Sequence, residues 1–300
     1  MDNFLMKPKI DFAFKEIMEN EKARIGFLSA ILQLPPENMK ESHILNSHLR
    51  KMHDDDKLGI LDVRILLKDN TQIDTEIQLS ELKIWADRAL FYISKMYTEQ
   101  IEKGQKYDVL NKCVSISILD FILFENSTGF YSRFHILEDS QHFIYTDKME
   151  FHVIELPKLP KEWTEDCSNV ELWAKFINAE KREEFDMIAE KDPYIKSAYD
   201  QLQIISRDKQ KRFEYEAREK AIRDHHQFLS EAERRGIEIG EKRGIEIGEK
   251  QGIEQGIFGA IAICREIGLS EIDISKKLQE KYHISSETAD TYLKTSLASK

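Results

Sequence analysis

The chain has 300 residues, 41% hydrophobic and 33% charged, which is enough apolar material for a buried core and argues against disorder throughout. Its net charge is −11, with 20 Lys+Arg against 26 Asp+Glu in residues 1–160 and 24 against 29 in residues 161–300. The deficit runs through both halves, which disfavours a simple nucleic-acid-binding module, because phosphate contacts need local positive charge.

The first residues, MDNFLMKPKIDF, lack the basic start and apolar run of a secretory leader, and no run nears the ~18 apolar residues of a membrane span. Cys113, Cys167 and Cys264 form no CxxC pair, which fits a reducing compartment. The expectation is a cytoplasmic protein with no membrane partner.

In chain order, residues 11–32 predict one helix, with Asp11 as a possible cap and Pro35-Pro36 closing it. Residues 59–67 and 72–79 alternate with period two and read as strands, joined by Lys68-Asp69-Asn70-Thr71 as a β-hairpin. Residues 83–103 predict an amphipathic helix ended by Gly104. Residues 113–124 form a strongly apolar, central strand, and weaker strands follow near 131–138 and 150–156. Pro157-Lys158-Leu159-Pro160 reads as a boundary, and the chain beyond about 170 reads as helical. The expected organisation is an α/β domain over 1–160, a helical extension over 161–206, a charged segment over 207–256 and a small helical unit over 257–300.

The charged segment repeats itself: GIEIGEKR at 236–243 precedes GIEIGEKQ at 244–251 and then GIEQG, placing glycines at 236, 240, 244, 248, 252 and 256. Each glycine costs a helix ~1 kcal/mol relative to alanine. Two readings follow, a self-associating helix and a solvated linker. Residues 257–297 predict three short helices, with starts near Leu269-Ser270 and Ser285-Ser286; these read as a helix-turn-helix or as a cap on the repeat.

The chemistry-bearing pattern lies in the hairpin. Alternation puts Glu76 and Gln78 on one face of their strand, with Ile73, Thr75, Ile77 and Leu79 on the other. On the preceding strand Leu61, Val63, Ile65 and Leu67 face one way, Asp62 and Arg64 the other. A two-residue turn at Asp69-Asn70 sets Asp62 opposite Ile77, the wrong parity, so an odd-length loop or a bulge is required to bring the acids together. Two converging carboxylates call for a hard divalent cation such as Mg²⁺, with Mn²⁺ as a substitute. A merely polar, exposed strand face is the competing reading. No zinc spacing surrounds His53 or His225-His226, and no phosphate-binding glycine loop is present.

The segments KIDFAFKEIM, ILDVRILLKDNTQIDTEIQL and WADRALFYISKMYTEQIEKGQKYDVLNKCVSISIL occur in order over residues 7–125. With Asp11-x-x-Phe14-Lys15, Lys57, Arg88-x-x-x-Tyr92, Gly104-x-x-Tyr107 and the GIEIGEK repeats, they resemble the recombination-promoting nuclease and transposase family of the PD-(D/E)XK superfamily. The resemblance implies a restriction-endonuclease-like α/β core followed by an all-α C-terminal region. It makes Asp62 and Glu76 the metal ligands and DNA the substrate. Gln78 stands where the superfamily usually has lysine; glutamine carries no charge and no titratable proton. The water-orienting role then rests with Gln78 or shifts to Lys57 or Lys15. Asp11 either supports the site or caps its helix. Lys15, Arg88, Tyr92 and Lys95 are candidate DNA contacts, the last three on one helix face, while Trp85, Phe91 and Met96 are expected in the core.

The function expected is a Mg²⁺-dependent DNA endonuclease promoting recombination, compatible with mobile elements or phage defence, in a chain that forms homo-oligomers. The alternative is a catalytically degenerate nuclease fold that binds partners through its helical tail.

Overall fold

The computed structural model describes residues 4–46, 61–162 and 166–298. Among them, six strands form one sheet in the order β1-β2-β3-β4-β6-β5. They are β1 (His43–Leu45), β2 (Val63–Leu66), β3 (Gln72–Gln78), β4 (Cys113–Leu119), β5 (Tyr131–Leu137) and β6 (Ile144–Glu155). β3, β4 and β6 run parallel to one another, and the outer pairs β1–β2, β2–β3 and β5–β6 are antiparallel. The expected central strand is β4, buried at every position. The positions 59 and 60, expected to begin the first hairpin strand, lie outside the described residues.

The two faces of the sheet differ in chemistry because β4 reads CVSISIL. Val114, Ile116 and Ile118 join the large core with Ile73, Ile77 and Ile154. Helices α1 (Asp11–Met18), α2 (Glu21–Leu32), α4 (Asn169–Asn178), α5 (Arg182–Lys191) and α6 (Pro193–Arg207) contribute most of that core. On the opposite face Cys113 and Leu119 meet α3 (Trp85–Thr98), which buries Trp85, Tyr92, Ile93 and Met96. Ser115 and Ser117 lie on this second face and are buried.

Residues 11–32 form two helices rather than one. The Asn20 side chain accepts from the Ala23 N–H at 3.0 Å and starts α2. Arg24, buried, donates to the Met18 carbonyl at 2.7 Å, which satisfies the end of α1. Asp11 does not cap α1: Ile10 occupies the cap position with no side-chain bond. Gly26 lets α6 approach closely, since a Cβ there would lie 2.1 Å from Tyr194 Cβ.

The helices after Pro160 add to the same core, and the first compact unit spans Met1–Arg223. The start of α7 (Lys209–Glu266) belongs to it, with Tyr215 buried in the main cluster. The second unit, Asp224–Lys300, contains the rest of α7, α8 (Glu271–Tyr282) and α9 (Ser286–Ala298). Ser270 and Ser285 accept from the N–H groups of Asp273 and Thr288, both at 3.2 Å, at the helix starts the sequence predicts. Ile257, Ile261, Ile274, Leu278, Ala289 and Leu293 form its core. The glycine repeat is helical throughout within α7, and beyond the helix's own adjoining backbone no described atom lies within 4 Å of a Cβ built on Gly236, Gly240, Gly244, Gly248 or Gly252. No helix among the described residues is long and apolar enough to cross a membrane.

Candidate active site

The β2–β3 hairpin sets the site. Val63 pairs with Thr75 and Arg64 with Asp74. A three-residue loop, Lys68-Asp69-Asn70, produces this register. The Leu67 N–H donates to the Thr71 carbonyl at 2.9 Å, and the Asn70 N–H to the Leu67 carbonyl at 3.0 Å. Asn70 takes a left-handed φ of 64°, and the Asp69 side chain accepts from the Thr71 N–H at 3.0 Å. The odd loop puts Val63 opposite Thr75, and the chain entering β2 brings Asp62 to the Glu76–Ile77 end of β3, where its carboxylate meets the Ile77 N–H.

Asp62 lies just before β2, and its Oδ2 accepts from the Ile77 N–H at 3.0 Å. Leu61 does not share the face of Val63. Regular strand alternation begins only at Val63, and Leu61 packs with Tyr92, Ile93 and Met96 under α3. Glu76 is 4% exposed; its Oε2 is 3.4 Å from Arg88 Nη2, and its Oε1 has no hydrogen-bond partner. Asp74, two residues earlier on the same face, is 1% exposed, and its Oδ1 is likewise without a partner. In register beside these two acids stand Ser115 and Ser117 of β4, whose small side chains leave room that a large apolar residue would fill.

Burial raises the proton affinity of these carboxyls. Glu76 is pushed up to about 8 by desolvation and by the neighbouring Asp62, against the pull of Arg88 and the Asp62 N–H. Asp62 rises to about 6, through burial first and Asp11 next, opposed by the Ile77 N–H, Arg218 and Arg88. Asp74 is raised well above the usual carboxylate range by burial, Glu76 and Asp62, with Arg64 and Arg88 opposing. An acidic cluster with two orphaned buried oxygens is short of positive charge.

Among the described residues, no group of three or more His, Cys, Asp or Glu side chains is arranged to hold a metal ion. Mg²⁺ commonly takes one or two protein carboxylates and completes its shell with water and substrate phosphate. The all-oxygen donors here, with an unpaired Glu76 oxygen, fit that requirement.

The other predicted site residues separate. Gln78 ends β3 and donates its Nε2 to the Ser80 carbonyl at 3.0 Å. Arg88 spans the site, over the rings of Trp85 at 5.5 Å and Tyr92 at 5.2 Å. Tyr92 is buried, and its hydroxyl is raised by desolvation, with Glu76, Asp74 and Asp62 adding to the rise after Arg88 opposes it. It therefore belongs to the floor of the acidic site, not to an exposed face shared with Lys95. Lys95 sits 5.8 Å over Phe91, which is 40% exposed and not in the core as expected. The buried stripe of α3 runs through Trp85, Ala89, Tyr92, Ile93 and Met96, and Phe91 falls off it. Trp85 and Met96 are buried as predicted. Lys15 is exposed on α1, four residues from Asp11. Lys57 lies outside the described residues.

Asp11 meets a residue that sequence reading missed. Both its oxygens accept from Arg218 Nε, at 2.9 and 2.7 Å. No local signal announces a partner 207 positions away. Asp74, by contrast, was available from the alternation that singled out Glu76.

A mixed sheet with one acid just before the first hairpin strand and another within the second, a helix crossing over to a parallel central strand, and a Glu-x-Gln pair whose glutamate is buried define a PD-(D/E)XK-type α/β core, here followed by an all-α C-terminal region. The family model of PD-(D/E)XK nuclease family transposases matches residues 8–232, and the chain belongs to this family. No curated protein and no solved structure matches the chain. Family membership supports a nuclease-like function.

Proposed function

We propose that the protein is a metal-dependent DNA endonuclease, with Asp62 and Glu76 as the ligands of Mg²⁺ or, in its place, Mn²⁺. The observation that carries this reading is the Glu76 carboxylate, buried at 4% exposure with one oxygen unpartnered and an acid on either side in space. A buried carboxylate in that state is costly unless a cation completes it. Bound there, the metal would supply a water made acidic enough to attack and would neutralise charge developing on the phosphodiester.

The chain's own residues have separable tasks. Asp62 is held in direction by the Ile77 N–H. Gln78, tied to the Ser80 carbonyl through its nitrogen, leaves its amide oxygen to accept a hydrogen bond, and so orients water without moving a proton. Arg88, aligned by Trp85 and Tyr92, carries positive charge to the acids and to an incoming phosphate. Lys15 and Lys95 extend the DNA contact in this reading, and Lys57 remains a candidate for the water-orienting role. Cleavage of this kind promotes recombination and suits mobile elements or phage defence. Cys113, Cys167 and Cys264 form no disulfide among the described residues, which fits the cytoplasm. The tail makes the protein a homo-oligomer, most simply a two-fold dimer. Its support is Ile237, Ile239, Ile245, Ile247 and Ile253, each more than half exposed on α7.

One observation favours the second reading, a degenerate fold that only binds: Arg88 already offers Glu76 a cation. The deciding experiment is a Mg²⁺ and Mn²⁺ titration of supercoiled-plasmid cleavage by wild type and Asp62→Ala. Metal-dependent cutting lost in the variant supports the endonuclease. Absent cutting by folded wild type supports the binding protein, and cutting that needs no metal contradicts the Asp62–Glu76 metal site.

A further inference from the structure

The start of α7 is anchored on the compact unit several times over. Tyr215 is buried there and its hydroxyl accepts from the Lys7 N–H at 3.2 Å. Lys211 pairs with Glu16, and the Arg212 guanidinium lies 4.1 Å over the Phe4 ring. One turn beyond Tyr215, Arg218 reaches Asp11, which grips the guanidinium along one edge through Nε and Nη2. The Arg218 side chain remains 51% exposed while Asp11 is 18% exposed, so the outer edge of the fork faces solvent. Both members of the pair lie within electrostatic reach of Asp62, the proposed metal ligand.

Of the other guanidiniums near the acids, Arg64 is engaged inward, and Arg88, its side chain 38% exposed, is shared between Glu76 and solvent. Arg64 pairs with Glu99 and donates to Gln72 at 2.6 Å, with its side chain 10% exposed, and Arg88 faces Glu76. A chain of net charge −11 must nonetheless hold a polyanion against three buried acids. A half-exposed arginine, pre-aimed by a carboxylate on its inner edge, suits a phosphodiester, because guanidinium binds phosphate through paired N–H donors.

We propose that Arg218 is a DNA phosphate-binding residue of this site, with Asp11 as the residue that positions it, so that the first turns of α7 complete the nuclease core. The inference rests on the endonuclease reading above. A purely structural tie predicts something different: surface ion pairs contribute little, and Tyr215 already anchors the helix.

The test uses full-length protein carrying Glu76→Gln to prevent cutting, and a labelled DNA duplex titrated across a salt series by fluorescence anisotropy. Adding Arg218→Gln, which keeps the length of the side chain, is expected to weaken binding at every salt concentration. It is also expected to lower the slope of log affinity against log salt by about 1, as loss of one phosphate contact should. Arg218→Lys is expected to restore the slope but not the full affinity. Asp11→Asn should leave the slope and weaken binding, since the charge stays and its aim is lost. In the otherwise wild-type enzyme, Arg218→Gln should raise KM more than it lowers kcat. An unchanged slope in the Arg218→Gln protein, with binding still measurable, overturns the proposal and leaves Arg218 as a tie between α7 and α1. If wild type neither binds nor cuts duplex DNA, the endonuclease reading itself falls, and the inference with it.

Discussion

The carboxylate of Asp62 accepts a hydrogen bond from the backbone N–H of Ile77, the residue next to Glu76, at 3.0 Å. The bond fixes the acid that precedes β2 against the end of β3. It turns the hairpin register into a site in which Asp62 raises the proton affinity of buried Glu76.

Stability should carry the mark of that buried acid. The folded-state value of Glu76 is raised, to about 8, so between its usual range and about 8 the folded protein holds more protons than the unfolded chain. Stability from this group is therefore present at low pH and lost as pH rises through about 8. Glu76→Gln mimics the protonated form. Its melting temperature should match wild type near about pH 5 and exceed it increasingly toward about pH 9, with Mg²⁺ closing the gap in wild type only. A constant gap across this range would show that Glu76 stays ionised in the fold.

The hairpin register depends on a single left-handed residue, Asn70, at φ 64°. Asn70→Val should cost about 1–2 kcal/mol in denaturant unfolding, while Asn70→Gly should be close to neutral. Equal stability of the Val variant would mean that the three-residue loop does not set the pairing of Asp62 with Glu76.

Gly26 is required for a different reason. A Cβ at this position would meet Tyr194 Cβ at 2.1 Å and Trp173 Cζ2 at 3.1 Å. Gly26→Ala should destabilise the first compact unit by about 1–3 kcal/mol through forced separation of α2 and α6. Thermal unfolding of the variant checks this, and an unchanged midpoint would contradict the close packing.

Much of this architecture is legible in the sequence, and the limits have identifiable causes. Alternation in VRIL, QIDTEIQ and CVSISIL marks β2, β3 and β4, because strand periodicity is local. Asp62 and Glu76 could be named, but their parity could not be decided until the Lys68–Asn70 loop was seen to hold three residues. The break between α1 and α2 was hidden, since Asn20 and Arg24 act there through a cap and a buried bond to Met18, neither of which alters hydrophobic periodicity. The extent of the first unit is hidden too: Trp173, Phe185 and Tyr215 lie beyond an apparent proline boundary, yet belong to the same core cluster as the sheet. Arg218 is the extreme case, a contact made only by the fold.

Self-association through the tail predicts a clear response to charge on α7. Ile245 and Ile253 are 63% and 53% exposed. Burying one isoleucine is worth about 1.5–3 kcal/mol. Full-length protein carrying Ile245→Glu and Ile253→Glu should shift from oligomer to monomer in light scattering at micromolar concentration, with helical content retained. A monomeric wild type would make the repeat a solvated linker.

The most direct measurement is cleavage of duplex DNA by wild type and by Glu76→Gln, with and without Mg²⁺, alongside circular dichroism of both proteins. The account predicts cutting by wild type only when the metal is present. It predicts a loss of at least about 100-fold in the variant, the scale for removing a group that stabilises developing charge, with an unchanged folded spectrum. Cleavage by folded Glu76→Gln at the wild-type rate would contradict it.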